Sequence, residues 1–481
     1  MTLDWQTCER ARLARDPRFD GRFFTAVLTT GIFCRPICPA PTPKPNNVRY
    51  YASAAAAGEA GFRPCLRCRP EAAPGSPLWQ GSEAVVARAH ALIQEGYLNH
   101  HPLADLADLM GLGERQLRRL FHSAVGASPK AVADMQRLLF AKKLLHETRM
   151  SLTEVALAAG FNSIRRFNDA FRQAYGKTPS ELRRAQSEAS SDQLSLLLPY
   201  RPPLNWPAML GFYRMRAIPG VERVDDQSYS RTIALGEHSG WLRVEAVANQ
   251  DALKLTVAFP DPGQLMPIVE RIRRMFDLNA NLDAIYQDLA RDPLLKQRLD
   301  TYSGLRLPGA WDPFEYMVRA ILGQQISVKA ATTFAGRIAS TLGTPVQGPE
   351  GLQWLFPRPE ILAEADFSRI GLTGKRIDTI KNLSRAVAAG EVSLRVGRDL
   401  DTFIAELCAL PGIGDWTAHY IALRALSEPD AFPSADLGLL KALGTDKPKE
   451  AKARAEAWRP WRAYAAIYLW QGLSASSKDS T

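Results

Sequence analysis

Residues 410–423 read LPGIGDWTAHYIAL, a tight turn with glycines at Gly412 and Gly414 that opens directly into a helix. Glycines at that spacing bare backbone N–H groups at a helix N-terminus, a place that stabilises an anionic oxygen such as a DNA phosphate. Alone the pattern is weak, because many helix pairs join through such a turn. It gains weight from Asp436, twenty-two residues beyond Gly414 in FPSADLGLLKAL, the only acidic residue between Asp430 and Asp446. Two readings of Asp436 stay open: a helix N-cap ahead of an apolar run, or a carboxylate with chemistry to perform beside the turn.

Around this stretch the chain divides. At 481 residues it exceeds a single hydrophobic core and suggests about three domains. The first block ends at the linker CRPEAAPGSPLWQGS, and a helical block follows as far as RRAQSEASSDQLSLLLPYRPPLNW, where Ser and Pro break the periodicity. YSRTIALG, WLRVEAVA and ALKLTVAF then alternate as antiparallel strands, and from about 265 the pattern is helical again. The expected fold class is multidomain, mainly α with α+β parts. Boundaries are predicted at 1–75 (small, α+β), 80–186 (all-α), 195–300 (β-rich) and 301–475 (helical body, with the turn).

Charge narrows the partners. The net charge is +10, and residues 1–190 carry 26 Lys and Arg against 17 Asp and Glu, so nearly all the excess sits in front. That suits a polyanion such as double-stranded DNA, although solubility alone explains the balance as well. There is no apolar run of about 20 residues, so no membrane partner is expected. The charged start MTLDWQTCERARLARDP does not read as a signal peptide, and a cytoplasmic, nucleoid-associated protein is expected.

The helical block repeats itself. PLADLADLMGLGERQLRRLFHSAVGASP and SLTEVALAAGFNSIRRFNDAFRQAYGKTP share one outline: a helix, a Gly turn, an Arg-rich helix, then Gly-x-(Ser/Thr)-Pro. This is the form of a helix-turn-helix, whose second helix enters the major groove. Arg115, Gln116, Arg118 and Arg119 fall on the first candidate reading helix, and Ser163, Arg165 and Arg166 on the second. The pair resembles the DNA-binding domain of AraC-type regulators over 82–185.

Six cysteines are present, and four form Cys34-x3-Cys38 and Cys65-x2-Cys68, separated by 26 residues. In a reducing compartment such paired spacings favour a four-thiolate metal site, with zinc the default ion. Zinc at such a site ordinarily just holds a small domain together. The surrounding DGRFFTAVLTTGIFCRPICPAPTPKPNNVRYYASAAAAGEAGFRPCLRCRP, however, closely resembles the N-terminal domain of the Ada methylation-damage sensors. That resemblance implies that Cys34 accepts a methyl group from a DNA methyl phosphotriester, with Cys38, Cys65 and Cys68 completing the zinc site. Arg35, Arg63 and Arg67 lie close enough in sequence to anchor neighbouring phosphates. In the family, methylation raises promoter affinity, which implies a transcriptional activator with RNA polymerase as partner. After Cys38 the chain reads PAPTPKP where the family commonly carries arginines, and the family's Pro-Cys-His-Arg motif for methylguanine repair is absent. Cys408, in ELCALPG, reads as a core residue, and Cys8 as incidental.

The turn and its aspartate together carry the signature of helix-hairpin-helix DNA glycosylases. LNWPAMLGFYRMRAIPGVE, GLRLPGAWDPFEYMVRAILGQQISV and WRPWRAYAAIYLW extend the similarity over about 195–475, where it is closest to AlkA-type 3-methyladenine glycosylases. This implies a pocket lined by Phe212, Trp416, Tyr420 and Trp470, into which a flipped base such as 3-methyladenine or 7-methylguanine stacks. Trp458 and Trp461 read as core. Asp436 becomes the catalytic carboxylate, and Gly412 and Gly414 the phosphate-binding turn. Gln325 takes the place of the family's leucine wedge. Relatives with a lyase step carry lysine two residues after the second glycine; here it is Trp416, so a monofunctional hydrolase is implied. No cysteine follows Cys408, so no iron–sulfur cluster is expected.

The whole reads as an Ada–AlkA fusion acting on alkylated DNA, a monomer with one zinc. Two alternatives remain at this point: a glycosylase whose front half only tethers DNA, and a transcription factor whose glycosylase body is inactive. The seven histidines form no evident cluster.

Overall fold

The computed structural model describes residues 4–70, 73, 84–183, 193–394 and 399–476. By contacts the chain forms two compact units. One comprises Met1–Pro202, Val247–Thr256 and Pro260–Arg273; the other comprises Pro203–Ala246, Val257–Phe259 and Arg274–Thr481. Among the described residues no helix is long and apolar enough to cross a membrane.

The first unit begins with a four-stranded sheet in the order Val48–Tyr51, Phe24–Val27, Ile32–Cys34, Arg63–Pro64. The last pairing is parallel, with Phe33 opposite Pro64. Cys34 and Cys65 therefore follow directly at neighbouring strand ends, which is how two cysteine pairs far apart in sequence meet. The core here is small: Phe24, Ala26, Phe33 and Ala57. Cys8, expected to be incidental, is buried against Ala11 and Phe23.

The repeated outline has a local cause. In the first copy Gly126 ends helix Glu114–Val125 in the left-handed conformation, and Ser128 caps the next helix with Pro129 in its first turn. In the second, Gly176 ends helix Ile164–Tyr175 and Thr178 caps the next with Pro179. Gly-x-(Ser/Thr)-Pro is thus a stop signal followed by a start signal. Leu117, Phe121 and Val125 bury one face of the first helix, and Phe167, Phe171 and Tyr175 the matching face of the second. Each buried aromatic contributes roughly 1.5–3 kcal/mol of apolar burial, so these faces lock the orientation and leave the arginines outward. Beyond the second copy, strand Leu194–Pro199 lies beside Ala252–Ala258.

The second unit contains the meander Glu222–Val224, Ser228–Leu235, His238–Ala246, with Arg231 opposite both Glu222 and Leu242. All three stretches expected as strands are strands. A helical body follows, its core running from Ile218 to Leu469. Within it helix Leu400–Cys408 buries Phe403 and Leu407. Cys408 is exposed, not core as expected, because it falls one residue beyond that i, i+4 stripe. Trp458 and Trp461 are core, each donating its indole N–H to an aspartate, Asp292 and Asp288.

Candidate active site and metal centre

Gly412 sits at φ +91, and a Cβ there would lie 2.2 Å from Oγ1 of Thr379, so the turn requires glycine on both counts. Gly414 is the N-cap of helix Asp415–Ala425 and meets nothing within 4 Å, leaving open space beside that helix N-terminus. The helix carries Trp416, Tyr420 and Arg424 at four-residue spacing, which places them on one face.

Asp436 fulfils both of its sequence readings at once. It is the N-cap of helix Leu437–Leu443, with Oδ1 accepting from the Leu439 N–H at 3.0 Å. The same oxygen accepts the indole N–H of Trp470 at 2.7 Å, and Oδ2 accepts that of Trp416 at 3.1 Å. Three donors fix the carboxylate at the wall of a cavity of about 760 Å³. Phe212, Trp416, Tyr420 and Trp470 line that cavity as well. Trp416 and Tyr420 are stacked, centroids 5.3 Å apart and planes within 5°. Trp470 meets Tyr420 edge-on at 6.3 Å.

Two arginines in the cavity had no place in the sequence reading. Cζ of Arg216 lies 4.0 Å from the Phe212 centroid and Cζ of Arg424 lies 4.4 Å from it. Arg424 also faces Trp470 at 5.3 Å. Tyr316 donates to the Tyr420 hydroxyl at 3.1 Å. Burial alone would raise the Tyr420 phenol, but the charges of Arg216 and Arg424, together with hydrogen bonds from Tyr316 and Arg216, outweigh it and bring it down to about 8. The signal was available: each arginine follows an expected pocket aromatic by four residues, Phe212 to Arg216 and Tyr420 to Arg424.

Gln325 is exposed and has φ +57, a left-handed conformation uncommon for a residue with a side chain. Its neighbour Gln324 donates to the Gly412 carbonyl at 3.0 Å, tying this loop to the glycine turn.

In the first unit the Sγ atoms of Cys34, Cys38, Cys65 and Cys68 all lie within 4.8 Å of one another. A tetrahedral ion with bonds of about 2.3 Å holds sulfurs ~3.8 Å apart, so the cluster fits zinc. The thiols compete for protons: hydrogen bonding from Cys38 pushes Cys34 upward, and that from Cys34 pushes Cys65 downward. Cys65 and Cys68 are buried, whereas Cys34 and Cys38 are half-exposed. Arg35 is not free for a phosphate. Its side chain pairs with Asp20 and donates to the Cys68 carbonyl, while its backbone N–H points at Cys68 Sγ at 3.3 Å. Arg63 and Arg67 are exposed, as are Arg115, Gln116, Arg118, Arg119, Arg165 and Arg166 on the two Arg-rich helices. Arg118 pairs with Glu114, and Ser163 is the N-cap of its helix, accepting from the Arg166 N–H.

Comparison with known families follows the same divisions. Residues 7–71 match the metal binding domain of Ada, 106–185 a helix-turn-helix domain, 195–312 the AlkA N-terminal domain, and 318–463 the HhH-GPD superfamily of base excision DNA repair proteins. A Mycobacterium tuberculosis protein named "Probable bifunctional transcriptional activator/DNA repair enzyme AlkA" is 42% identical over 481 residues, spanning 98% of this chain and 97% of its own. The chain belongs to this AlkA-type bifunctional family. The Escherichia coli DNA-3-methyladenine glycosylase 2 is 34% identical over 57% of this chain and 95% of its own. The Escherichia coli "Bifunctional transcriptional activator/DNA repair enzyme Ada" is 36% identical over 37% of this chain and 48% of its own. Among solved structures, 3-methyladenine DNA-glycosylase from Archaeoglobus fulgidus shares the fold, with a TM-score of 0.51 at 20% identity over 57% of this chain and 96% of that one. The AlkA-type family thus spans the zinc-fitting cluster, the paired helix-turn-helix units and the Asp436 cavity in one chain, and two of its parts are of DNA-binding classes.

Proposed function

We propose that the protein hydrolyses the N-glycosidic bond of alkylated bases in DNA, 3-methyladenine and 7-methylguanine among them, and that it couples damage sensing to transcription. The observation that carries the first part is Asp436, held by Trp416 and Trp470 at the wall of an aromatic cavity. A base flipped into that cavity brings its glycosidic carbon toward the carboxylate. As the bond to the base breaks, positive charge develops on the sugar; Asp436 stabilises it and orients a water for attack. The Gly412–Gly414 turn holds a neighbouring phosphate, and Gln325 fills the gap left in the duplex. Asp436→Asn removes the charge and one acceptor oxygen; with its amide oxygen at the Oδ1 position it keeps the cap and the Trp470 contact, and loses the one to Trp416. We expect release of 7-methylguanine from alkylated DNA to fall by about two to three orders of magnitude. A variant as fast as wild type overturns the reading.

The sequence divisions 1–75, 80–186, 195–300 and 301–475 serve as functional parts in this scheme. When bound, zinc supplies the charge that keeps four closely packed thiols ionised. Cys34, half-exposed, attacks the methyl carbon of a phosphotriester: the S–C bond forms, the C–O bond breaks, and the phosphodiester leaves as an anion. The neutral thioether that results repels DNA less, which strengthens promoter binding through the two Arg-rich helices and recruits RNA polymerase to a monomer in the cytoplasm. Mass analysis of the Cys34 peptide after incubation with phosphotriester-bearing DNA tests this. A methyl gain absent with untreated DNA supports transfer; no gain reduces the front half to a DNA tether.

A further inference from the structure

The small cysteine-bearing domain grips the C-terminal ends of both Arg-rich helices, by different means. At the first, Ser53 Oγ donates to the Val125 carbonyl at 3.0 Å, and Ser128 Oγ donates to Glu59 at 3.0 Å. The short helix Ala54–Glu59 that makes this contact belongs to the apolar core of the first unit, where Ala55 and Ala56 are buried with Leu117 and Phe121. At the second, strand Arg63–Pro64 packs on helix Ile164–Tyr175, and a Cβ on Gly176 would lie 3.4 Å from Nη1 of Arg63. Lys142, 0% exposed on the long helix Pro129–Glu147, reaches in two directions. Its ammonium donates to the Cys65 carbonyl at 3.4 Å and lies 5.5 Å from the ring centroid of Tyr175. Arg69, next to Cys68, pairs with Glu147 at the end of the same long helix at 3.0 Å.

We propose that Lys142 is a positioning residue for DNA reading: it ties the second cysteine pair to the end of helix Ile164–Tyr175, so that this helix keeps its reading position only while the cysteine cluster is metal-filled. The DNA-facing part rests on the reading that both Arg-rich helices contact DNA. The asymmetry between the helices follows from what holds each contact. Apolar burial of Ala55 and Ala56 needs no metal. Residues 63–69, by contrast, belong to a domain whose own core is four side chains, and Cys65 and Cys68 are two of the four metal-ligating groups. An empty cluster therefore releases this segment. An ammonium buried as completely as that of Lys142 is costly without a fixed acceptor, so loss of the Cys65 carbonyl loosens the lysine and its support of Tyr175. Elsewhere the second unit has holds of its own. Helix Leu152–Ala158 packs on the turn Pro262–Gln264, and Phe167 and Phe171 stay buried, so the unit remains folded when the brace is lost.

The test compares full-length wild type with Lys142→Met, each zinc-filled and after chelation under reducing conditions. Methionine keeps the buried stem and removes the ammonium. The probe is a duplex selected from random DNA by the zinc-filled wild type, and the readouts are affinity, hydroxyl-radical footprint and hydrogen exchange. We expect zinc-filled Lys142→Met to bind about tenfold more weakly, with the footprint shortened by the half-site under the second helix. Exchange protection should fall in Ile164–Tyr175 and stay in Glu114–Val125. Chelated wild type should show the same contrast between the two helices, and chelation should cost the variant no further affinity. Equal losses at both helices, or substitution and chelation adding independently, would mean that Lys142 only supports the fold, and would overturn the proposal. So would wild-type protection of Ile164–Tyr175 that survives metal removal. A wild-type footprint of a single half-site would instead sink the two-helix reading, and exchange at Ile164–Tyr175 would still decide whether the metal-dependent tie exists. Should Lys142→Met not fold by circular dichroism, Arg69→Gln, at the half-buried partner of Glu147, decides on the same comparisons.

Discussion

The indole nitrogen of Trp470 lies 2.7 Å from Oδ1 of Asp436, and that same oxygen caps the following helix through Leu439. Structure and chemistry therefore share one atom: whatever holds the helix start also aims the carboxylate. Trp416 holds the other oxygen, so the plane of the carboxylate is fixed by two rings that also line the cavity.

Trp470→Phe and Trp416→Phe each remove one indole donor while keeping a ring. Either variant should lower kcat for 7-methylguanine release by about tenfold and leave KM within a few-fold, because orientation of Asp436 matters in the transition state more than in binding. Single-turnover kinetics with excess enzyme would measure it. A pure KM effect would show that the rings serve only to stack the base.

Legibility in the sequence followed how local the cause was. Gly126-x-Ser128-Pro129 and Gly176-x-Thr178-Pro179 are complete stop-and-start signals within four residues, so both helix-turn-helix units could be read directly. The cysteine pairs were legible as a metal site, but their meeting depends on the parallel pairing of Phe33 with Pro64, which no local pattern announces. Arg35 illustrates the limit. Beside a reactive cysteine it reads as a phosphate anchor, yet Asp20, fifteen residues earlier, engages it through a tertiary contact. Arg424 shows the opposite case: it shares the four-residue spacing of Trp416 and Tyr420, yet its place against the rings of Phe212 and Trp470, which lie on other elements, is a tertiary contact.

Asp277 offers a pH test of the second unit. Burial pushes its carboxyl up from 3.8 to about 6, although Arg306 and the Tyr464 hydroxyl, 2.9 Å away, pull the other way. Between those two values the folded protein keeps a proton that the unfolded chain has released, so this group removes stability as pH rises from about 4 to about 6. Asp277→Asn should therefore gain on wild type across that window, by up to roughly 3 kcal/mol, and hold the gain at higher pH. Paired melting curves at pH 4.5, 6 and 7.5 would show it; a difference that does not change with pH would rule it out.

Zinc removal should separate the two ends of the chain. The sheet core of Phe24, Ala26, Phe33 and Ala57 is too small to hold itself, and a structural zinc supplies on the order of 10 kcal/mol. Treatment with a chelator under reducing conditions should erase hydrogen-exchange protection in the strands Phe24–Val27 and Ile32–Cys34. Release of 7-methylguanine should stay within about twofold, since no cysteine lines the Asp436 cavity. Retained protection after complete metal loss would show that the sheet stands without the ion.

Salt dependence should locate the phosphate contacts. Arg115, Arg119, Arg165 and Arg166 are exposed on two helices whose opposite faces are pinned by Leu117, Phe121, Phe167 and Phe171, so replacing the four by glutamine should leave the fold intact. Each phosphate contact contributes about 0.9 to the slope of log affinity against log salt concentration. If both helices lie in the groove, the quadruple variant should bind undamaged promoter DNA with a slope shallower by roughly 3 to 4, measured by titration between 50 and 300 mM salt. A loss confined to the Arg115 and Arg119 pair would mean that one unit alone engages the groove and that the second serves to position it. An unchanged slope in the quadruple variant would move the main DNA contact of the front half away from both helices.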